Sequence, residues 1–342
     1  MKLMLIGSDK VYAIENHYVK HLRELGVDVQ TFCAQTIFYD YYYKNLANKL
    51  LFKAGLSGIH TEINKQFKEE ATKFRPDLIW VFKGMEIFPA SLKWAREKNT
   101  ILLNYNPDNP FIFTGSGSGN KNVAQSIDLY DLHFTYNLEI KEKLQKEYNA
   151  KTFFLPFGYD VDEFIISDCE KEEEIVRACF LGNPDKQRAE FIMDLARHGV
   201  EIDLYGNNWA GFLNHDLIRI FPPVYNSDFW KTLYRYRVQL NLMRIHNENS
   251  HNMRSFEVPG VGGIQLAPDT PEHREFFVPG KEIFLFTGVD DCTKQVHQLL
   301  ALSQQEAAAI RKQARHRSVQ AEYSYRGRAQ QALGIMNQLM NE

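Results

Sequence analysis

The stretch from Ser250 to Phe286, SHNMRSFEVPGVGGIQLAPDTPEHREFFVPGKEIFLF, constrains the fold of this chain more than any other. It sets a single carboxylate, Glu257, between Arg254 and a small-residue exit, Gly260 to Gly263. An apolar strand, Ile264 to Ala267, follows, then an acid–proline turn, an aromatic pair and a second strand. Strand, short helix and strand at this spacing predict a parallel α/β sheet. Ligands of such sheets sit at the carboxyl ends of the strands, where helix N-termini offer N–H groups to anions. A carboxylate placed there can accept two hydrogen bonds from a sugar diol, and a neighbouring guanidinium can clamp phosphate. The stretch therefore reads as a site for a nucleotide sugar.

The same alternation runs through the whole chain. Lys2 to Ile6 reads as a buried strand with a turn at Gly7-Ser8-Asp9. A helix from about Glu15 to Leu25 puts Val19, Leu22 and Leu25 on one face and stops at Gly26, before the strand Val27 to Phe32. The pattern loosens over Thr36 to Gly58, crowded with Phe38, Tyr39, Tyr41, Tyr42, Tyr43 and Phe52. Further helix–strand alternation carries a first domain to Thr152–Leu155, interrupted by a polar loop from Asn106 to Asn120. Phe157 to Asp160 and the acidic run Asp168 to Glu174 read as a solvated connector without chemistry. A second set opens at Val176 to Leu181, turns at Gly182, and continues through the strand Glu201 to Tyr205, the turn at Gly206 and the strand Gln239 to Met243. At roughly 150 residues per domain, a chain of 342 residues holds two. The expected division is 1–158, 159–325, and a C-terminal helix, 326–342, packing back toward the first domain.

Several chemistries lose ground. A net charge of −3 gives no electrostatic case for nucleic-acid binding. Cys33, Cys169, Cys179 and Cys292 form no CxxC pair, which favours reduced thiols over a disulfide framework or structural zinc. The opening MKLMLIGSDK reads as a first strand, not a signal peptide, and no run approaches the roughly 18 apolar residues that span a bilayer. The expectation is a soluble, cytoplasmic protein. Peripheral membrane contact stays open, because Lys44, Lys49 and Lys53 accompany the aromatic segment; tyrosines packed as a mobile lip are the favoured alternative. Neither Gly7 nor Gly182 belongs to GxGxxG or a P-loop, and no GxSxG elbow appears. His246, His251 and His273 lack metal-ligand spacing, so no metal and no cofactor are expected.

Each remaining candidate has a bland alternative. Lys186 and Arg188, after the Gly182 turn, open a helix where two cations and N–H groups suit a diphosphate; a solvated helix start is equally plausible. Glu257 in an apolar setting is costly to bury unpaired, and an internal salt bridge with Arg254 is its alternative to a ligand role, which is favoured about two to one. Pro259 predicts a short or kinked helix. Asp108, between two prolines, fits a general base or acceptor anchor, or an Asx-type turn residue. His17 is a second acid/base candidate, or a surface or capping residue, and Lys83-Gly84 supplies a charge after a strand.

The C-terminal half resembles the group 1 type glycosyltransferases of the GT-B fold, most closely the CgeB-type (spore-maturation protein-like) branch. FLGNPDKQR (180–188), IDLYGNNW (202–209), LNLMR (240–244), NMRSFEVPGVGGIQLAPD (252–269), FFVPGKEIFLF (276–286) and YSYRGR (323–328) carry the resemblance. PDLIWVFKG (76–84), NYNPDNP (104–110) and LPFGYDVDEF (155–164) extend it into the first half. The resemblance implies an α/β enzyme of two doubly wound Rossmann-like domains facing a cleft, with a nucleotide-sugar donor in the second and an acceptor facing the first. Basic side chains and helix N-termini would neutralise the leaving diphosphate without metal. By position, Glu257 would hold the ribose hydroxyls, with Asn252 and Arg254 beside it. Lys186 and Arg188 would bind the diphosphate, Tyr205-Gly206 would line the base pocket, and Gly182 and Gly262-Gly263 would let backbone approach the ligand. The family's second glutamate, eight positions before Glu257, is Asn249 here, with Glu248 one residue off. The implied reaction moves a hexose-type sugar from a nucleoside diphosphate, UDP favoured, to an acceptor hydroxyl on a glycan, protein or lipid-linked partner, with a lean to retention. An epimerase or hydrolase, or a catalytically silent nucleotide-sugar-binding partner, are the alternatives.

Overall fold

The chain is described from a computed structural model that covers residues 1–342 except residue 12 and residues 113–118 and 245–248. It divides into two compact units, Met1–Pro156 with Tyr325–Glu342, and Phe157–Ser324. The last helix, Tyr325–Asn341, thus belongs with the N-terminal unit, where Tyr325 lies against His17 and Tyr18.

The first unit holds β1 (Lys2–Ile6), β2 (Asp28–Phe32), β3 (Leu78–Phe82), β4 (Ile101–Asn106), β5 (Leu132–Thr135) and β6 (Thr152–Phe154). They form one parallel six-stranded sheet in the order β2-β1-β3-β4-β5-β6. β3 is buried at every position, LIWVF, because helices cover both faces of a parallel sheet. Its Ile79 and Val81 join Met4, Phe67 and Leu102 in one core.

The second unit holds β7 (Ile175–Leu181), β8 (Ile202–Tyr205), β9 (Ile218–Phe221), β10 (Tyr236–Leu240), β11 (Gln265–Pro268) and β12 (Phe284–Phe286). The order is β12-β11-β10-β7-β8-β9, again all parallel. Its core joins Phe180, Leu204, Trp209, Leu240 and Leu266. Both sheets are doubly wound: strand order reverses between β1 and β3 in the first and between β7 and β10 in the second. Such reversal points splay the loops at the carboxyl strand ends and create a crevice there.

Two segments depart from the sequence reading. Residues expected to be irregular between Thr36 and Gly58 form two helices, Ala34–Lys44 and Leu46–Lys53. Aromatic packing of Phe38 on Tyr42 and Phe52 holds them together, and it hid the helical period. The acidic run is not simply solvated, because part of it is the helix Glu163–Cys169 and Glu174 pairs with Arg237 and Arg311 at 2.6 and 3.0 Å. Those arginines carry enough charge to hold the Glu174 carboxyl below its ordinary range despite burial, which acts the other way. The polar loop after β4 lies partly outside the described residues.

Candidate functional site

In the second unit, the strand reversal brings together the loops after β7 and β10. β7 ends at Gly182, whose N–H donates to the Tyr205 carbonyl at 2.9 Å. A Cβ on Gly206 would stand 2.2 Å from the Gly182 carbonyl oxygen, which also accepts from Trp209 Nε1 at 2.8 Å. These two glycines therefore join strand end to strand end, and the Gly182 carbonyl is already occupied. Tyr205 is buried: its ring stacks on Phe221 at 4.9 Å and its hydroxyl bonds Tyr236, which donates to Asp203.

The helix Lys186–Arg197 follows, capped by Asp185, whose carboxylate accepts the Arg188 N–H at 3.0 Å. One of the N–H groups expected for an anion is thus taken by the cap. Lys186 stands in solvent, its side chain 88% exposed and 3.8 Å from Glu190. Arg188 is the opposite case, with its side chain 10% exposed. Its guanidinium crosses the reversal, donating to the Leu242 carbonyl beyond β10 at 2.7 Å and to Asn183 at 3.2 Å. The same group lies over the Phe180 ring, 5.4 Å from its centre. Its Nε is buried without a hydrogen-bond partner among the described residues, 3.6 Å from Asp185. Burial lowers the Arg188 pKa to about 10; Arg244 and Arg254 act in the same direction, against Asp185. Arg188 thus feels two further guanidiniums at a strand-reversal crevice, with Asp185 beside it and Glu257 paired to Arg254.

Across the crevice, the helix Arg254–Val261 starts from a polar network. Asn252 Nδ2 donates to Asn241 at 2.7 Å, and its Oδ1 accepts the Ser255 N–H at 3.2 Å. Ser255 meets His273 Nε2 at 2.8 Å, and His273 Nδ1 donates to the Pro268 carbonyl at 2.9 Å. Burial and the neighbouring His251 lower His273 to about 4, so the imidazole is neutral. His251 in turn bonds Glu272 at 2.5 Å and accepts the Phe157 N–H through Nε2. These histidines fix loop geometry; His246 lies outside the described residues. Among the described residues no group of three or more His, Cys, Asp or Glu could hold a metal ion.

Arg254 and Glu257, one helical turn apart, form a salt bridge, the alternative weighed for Glu257. Arg254 also lies 4.4 Å above the Phe229 ring, and its Nε is buried without a hydrogen-bond partner among the described residues. Pro259 falls inside this eight-residue helix, as a short element predicts. Gly262 and Gly263 lie at the amino end of β11. Gly262, at φ 89°, ends the helix, and the Gly263 N–H returns to the Val258 carbonyl before β11 begins. A Cβ on Gly263 would stand 2.7 Å from the Leu233 carbonyl. Their smallness serves a helix stop and close packing before β11, at the amino end of that strand. Glu248, from the departing family position, lies outside the described residues.

The reversal point of the first sheet carries a second charged cluster. After β3, Lys83 adopts a left-handed backbone (φ 58°) and its Nζ lies 2.6 Å from Asp108 after β4. The Asx turns in this loop belong to Asn106, which accepts the Asp108 N–H at 3.0 Å, and Asn109, which accepts the Phe111 N–H at 3.0 Å. Burial acts to lower the Lys83 pKa, but Asp108, with Tyr39 and Glu15, outweighs it and the net shift is upward. Glu15, whose side chain accepts the Ser8 N–H at 3.2 Å, is buried, and its pKa is raised for that reason. Burial also raises Glu86 to about 7, with Lys83 opposing and Glu15 assisting. A cavity of about 150 Å³ lies beside this cluster, lined by Gly7, Ser8, Glu15 and Cys33. A larger recess, about 460 Å³, is lined by Arg75, Asp77 and Thr100 at the amino ends of β3 and β4, the opposite end of the strands from this cluster. His17 stacks flat on Tyr325, rings 4.5 Å apart. Sequence reasoning missed Glu15, Glu86 and Arg244.

Residues 186–334 match the family model described as Glycosyl transferase-like. Among curated proteins, none matches the chain in sequence. Among solved structures, sucrose-phosphate synthase from Thermosynechococcus elongatus is 12% identical, with a TM-score of 0.71 over 100% of this chain and 99% of that one. A glycosyltransferase from Rickettsia africae is 12% identical, with a TM-score of 0.68 over 99% and 98%. Anabaena Alr3699/HepE, in complex with UDP, is 13% identical, with a TM-score of 0.63 over 98% and 99%. At these identities the likeness shows the fold: two Rossmann-like α/β domains of the GT-B type. The family match covers Arg188, Arg244, Arg254 and Glu257.

Proposed function

We propose that this chain, of GT-B fold with a glycosyl transferase-like C-terminal unit, moves a hexosyl group from a nucleoside diphosphate sugar to an acceptor hydroxyl. The observation that carries the reading is Arg188, a buried guanidinium at the β7/β10 reversal whose Nε has no hydrogen-bond partner among the described residues. A diphosphate adds charge-assisted hydrogen bonds to guanidinium nitrogens that Asp185 and Glu257 leave without a hydrogen-bond partner, the Nε atoms of Arg188 and Arg254. As the glycosidic bond breaks, negative charge grows on the leaving diphosphate, so the same arginines stabilise the transition state more than the ground state. Exposed Lys186, two residues before Arg188 at the start of the same helix, swings onto an outer phosphate oxygen. Glu257 accepts the ribose hydroxyls while Arg254 orients its carboxylate. Gly206 and Tyr205 border the base, and Asn252 holds the loop that presents Arg254.

In the first unit, Asp108, aided by Lys83, takes or orients the acceptor proton, with His17 as the second candidate for that role. UDP is the favoured nucleotide and retention the expected stereochemistry. The CgeB-like branch rests on the sequence motifs alone.

The test is thermal stabilisation by a panel of nucleoside diphosphates, followed by turnover of UDP-, GDP- and dTDP-sugars. A ligand at 100 times its Kd stabilises by about 2.7 kcal/mol. A shift with UDP and sugar release that accelerates with acceptor supports the transferase. No shift with any nucleoside diphosphate ends the donor-site reading. Turnover without acceptor reassigns the chain to hydrolase or epimerase chemistry, and binding without turnover to a silent partner.

A further inference from the structure

The helix Leu46–Lys53 has an outer face that the fold leaves unused. None of its residues is buried, and Leu46, Leu50 and Leu51 are 70%, 58% and 42% exposed. Tyr43 before it and Leu56 after it are 65% and 75% exposed. This is not a loosely attached helix. Phe52, on its inner side, packs edge-on against Phe38 at 4.9 Å and near Tyr42 and His60, so the outer side is held outward. At about 100° per residue, Leu46, Ala47, Leu50 and Leu51 share one side of the helix, and Lys49 and Lys53 run beside them on its flank.

Charge decides what such a face suits. From Tyr41 to Thr61 the chain holds Lys44, Lys49 and Lys53 and no Asp or Glu. The acid nearest in sequence, Asp40, is paired with Lys10 at 3.3 Å. Lys49 spreads over the Tyr43 ring at 4.8 Å, giving the face an aromatic–cation border. Isolated exposed leucines are ordinary on a protein surface; an apolar stripe flanked only by cations and tyrosines is not. A second copy of this chain would bring the same lysines against each other and is disfavoured by repulsion. A bilayer of anionic phospholipid meets every element at once: acyl chains for the leucines, the headgroup boundary for tyrosine, phosphate for the lysines. No helix of the described residues is long and apolar enough to cross a membrane, so the contact is with one surface.

We infer that the Leu46–Lys53 helix docks the N-terminal unit on anionic phospholipid, its leucines inserted at the headgroup boundary and its lysines on lipid phosphate. The inference is independent of the donor reading, since it uses none of the residues at the β7/β10 reversal.

Flotation of the full chain tests it, with vesicles of phosphatidylcholine alone and vesicles holding phosphatidylglycerol at about one third of the lipid. The full chain floats with the anionic vesicles at low salt, is released as salt rises, and stays behind with the neutral ones. Leu46→Glu with Leu50→Glu, both on the exposed face, abolishes flotation with an unchanged melting profile. Lys44→Gln, Lys49→Gln and Lys53→Gln together weaken partitioning roughly a hundredfold, the product of three surface charges. Absence of flotation, equal flotation with neutral vesicles, or wild-type flotation of either variant overturns the inference. So does a concentration-dependent dimer that the leucine variant abolishes, which would assign the face to a second copy.

Discussion

The Arg188 guanidinium donates 2.7 Å to the carbonyl of Leu242, tying the helix after β7 to the strand end of β10. One side chain thereby spans the point where the second sheet reverses direction, and it does so buried. The same residue carries structure and charge, and the two can be separated. Arg188→Lys keeps a cation but loses the fork that reaches Leu242 and Asn183 together. Arg188→Ala leaves both carbonyls without this donor and is expected to cost about 1–3 kcal/mol of stability. Isothermal titration of UDP into both variants is expected to show at least a tenfold loss for each, about 1.4 kcal/mol. Undiminished affinity in a folded Arg188→Lys would make the residue a purely structural tie.

The Arg254–Glu257 bridge makes a different claim, because the carboxylate is partnered before any ligand arrives. Glu257→Gln keeps the shape and removes the charge that a ribose diol would use. Its expected effect is a loss of about ten- to a hundredfold in UDP affinity, in the range of hydrogen bonds to a charged group. A UDP analogue lacking the ribose hydroxyls should bind wild type and variant alike. Equal losses for both ligands would mean that Glu257 acts only through Arg254.

Gly206 offers a purely steric prediction. A Cβ there would meet the Gly182 carbonyl oxygen at 2.2 Å, against backbone that cannot swing aside. Gly206→Ala is expected to destabilise the second unit by about 1–3 kcal/mol or more. Calorimetry should show it as a drop in Tm, and a variant melting like wild type would contradict the close approach of the β7 and β8 ends.

How much of this was legible in the sequence follows from what each signal depends on. Gly182 and Gly206 stand directly after apolar runs, so local pattern places them at strand ends. Arg254 and Glu257 are three residues apart on one helix, and spacing alone offers their bridge. Gly262 and Gly263 read correctly as a helix exit, but their distance from the carboxyl strand ends emerges only once β11 pairs with β10. Glu15 opens a helix, an ordinary place for an exposed acid, and nothing local announces that Gly7 lies against its side chain. Glu86 and Arg244 are similar: the coupling of Glu86 to Glu15 and of Arg244 to Arg188 joins residues distant in sequence. The helices between Ala34 and Lys53 escaped because an aromatic cluster, not a regular apolar stripe, packs them.

Asp108 and Lys83 meet at 2.6 Å from the ends of neighbouring strands, so either can be changed without disturbing the sheet. Asp108→Asn keeps hydrogen-bonding capacity and removes the basic oxygen. If Asp108 handles the acceptor proton, kcat should fall by about a hundredfold or more while UDP affinity is unchanged. Full activity with the best donor and acceptor would remove it from the chemistry, leaving an ion pair that braces the loop.

Glu86 and His273 give stability opposite slopes with pH, and single variants separate them. Burial holds Glu86 at about 7 against an ordinary 4.5, so the folded state retains a proton that the unfolded chain releases between those values. Its contribution is fully present below pH 4.5 and is lost as pH rises through 7. His273, at about 4 against 6.5, behaves in reverse: its contribution is present above 6.5 and is lost as pH falls through 4. Glu86→Gln should therefore stabilise the chain at pH 8, by about 3 kcal/mol at most, with the advantage vanishing by pH 4.5. His273→Asn costs stability near neutrality through its lost bonds to Ser255 and Pro268, and should flatten the decline between pH 6.5 and 4. Scanning calorimetry across pH reads both, since the groups lie in separate compact units. An alkaline slope unchanged by Glu86→Gln would show that this carboxyl ionises freely in the folded protein.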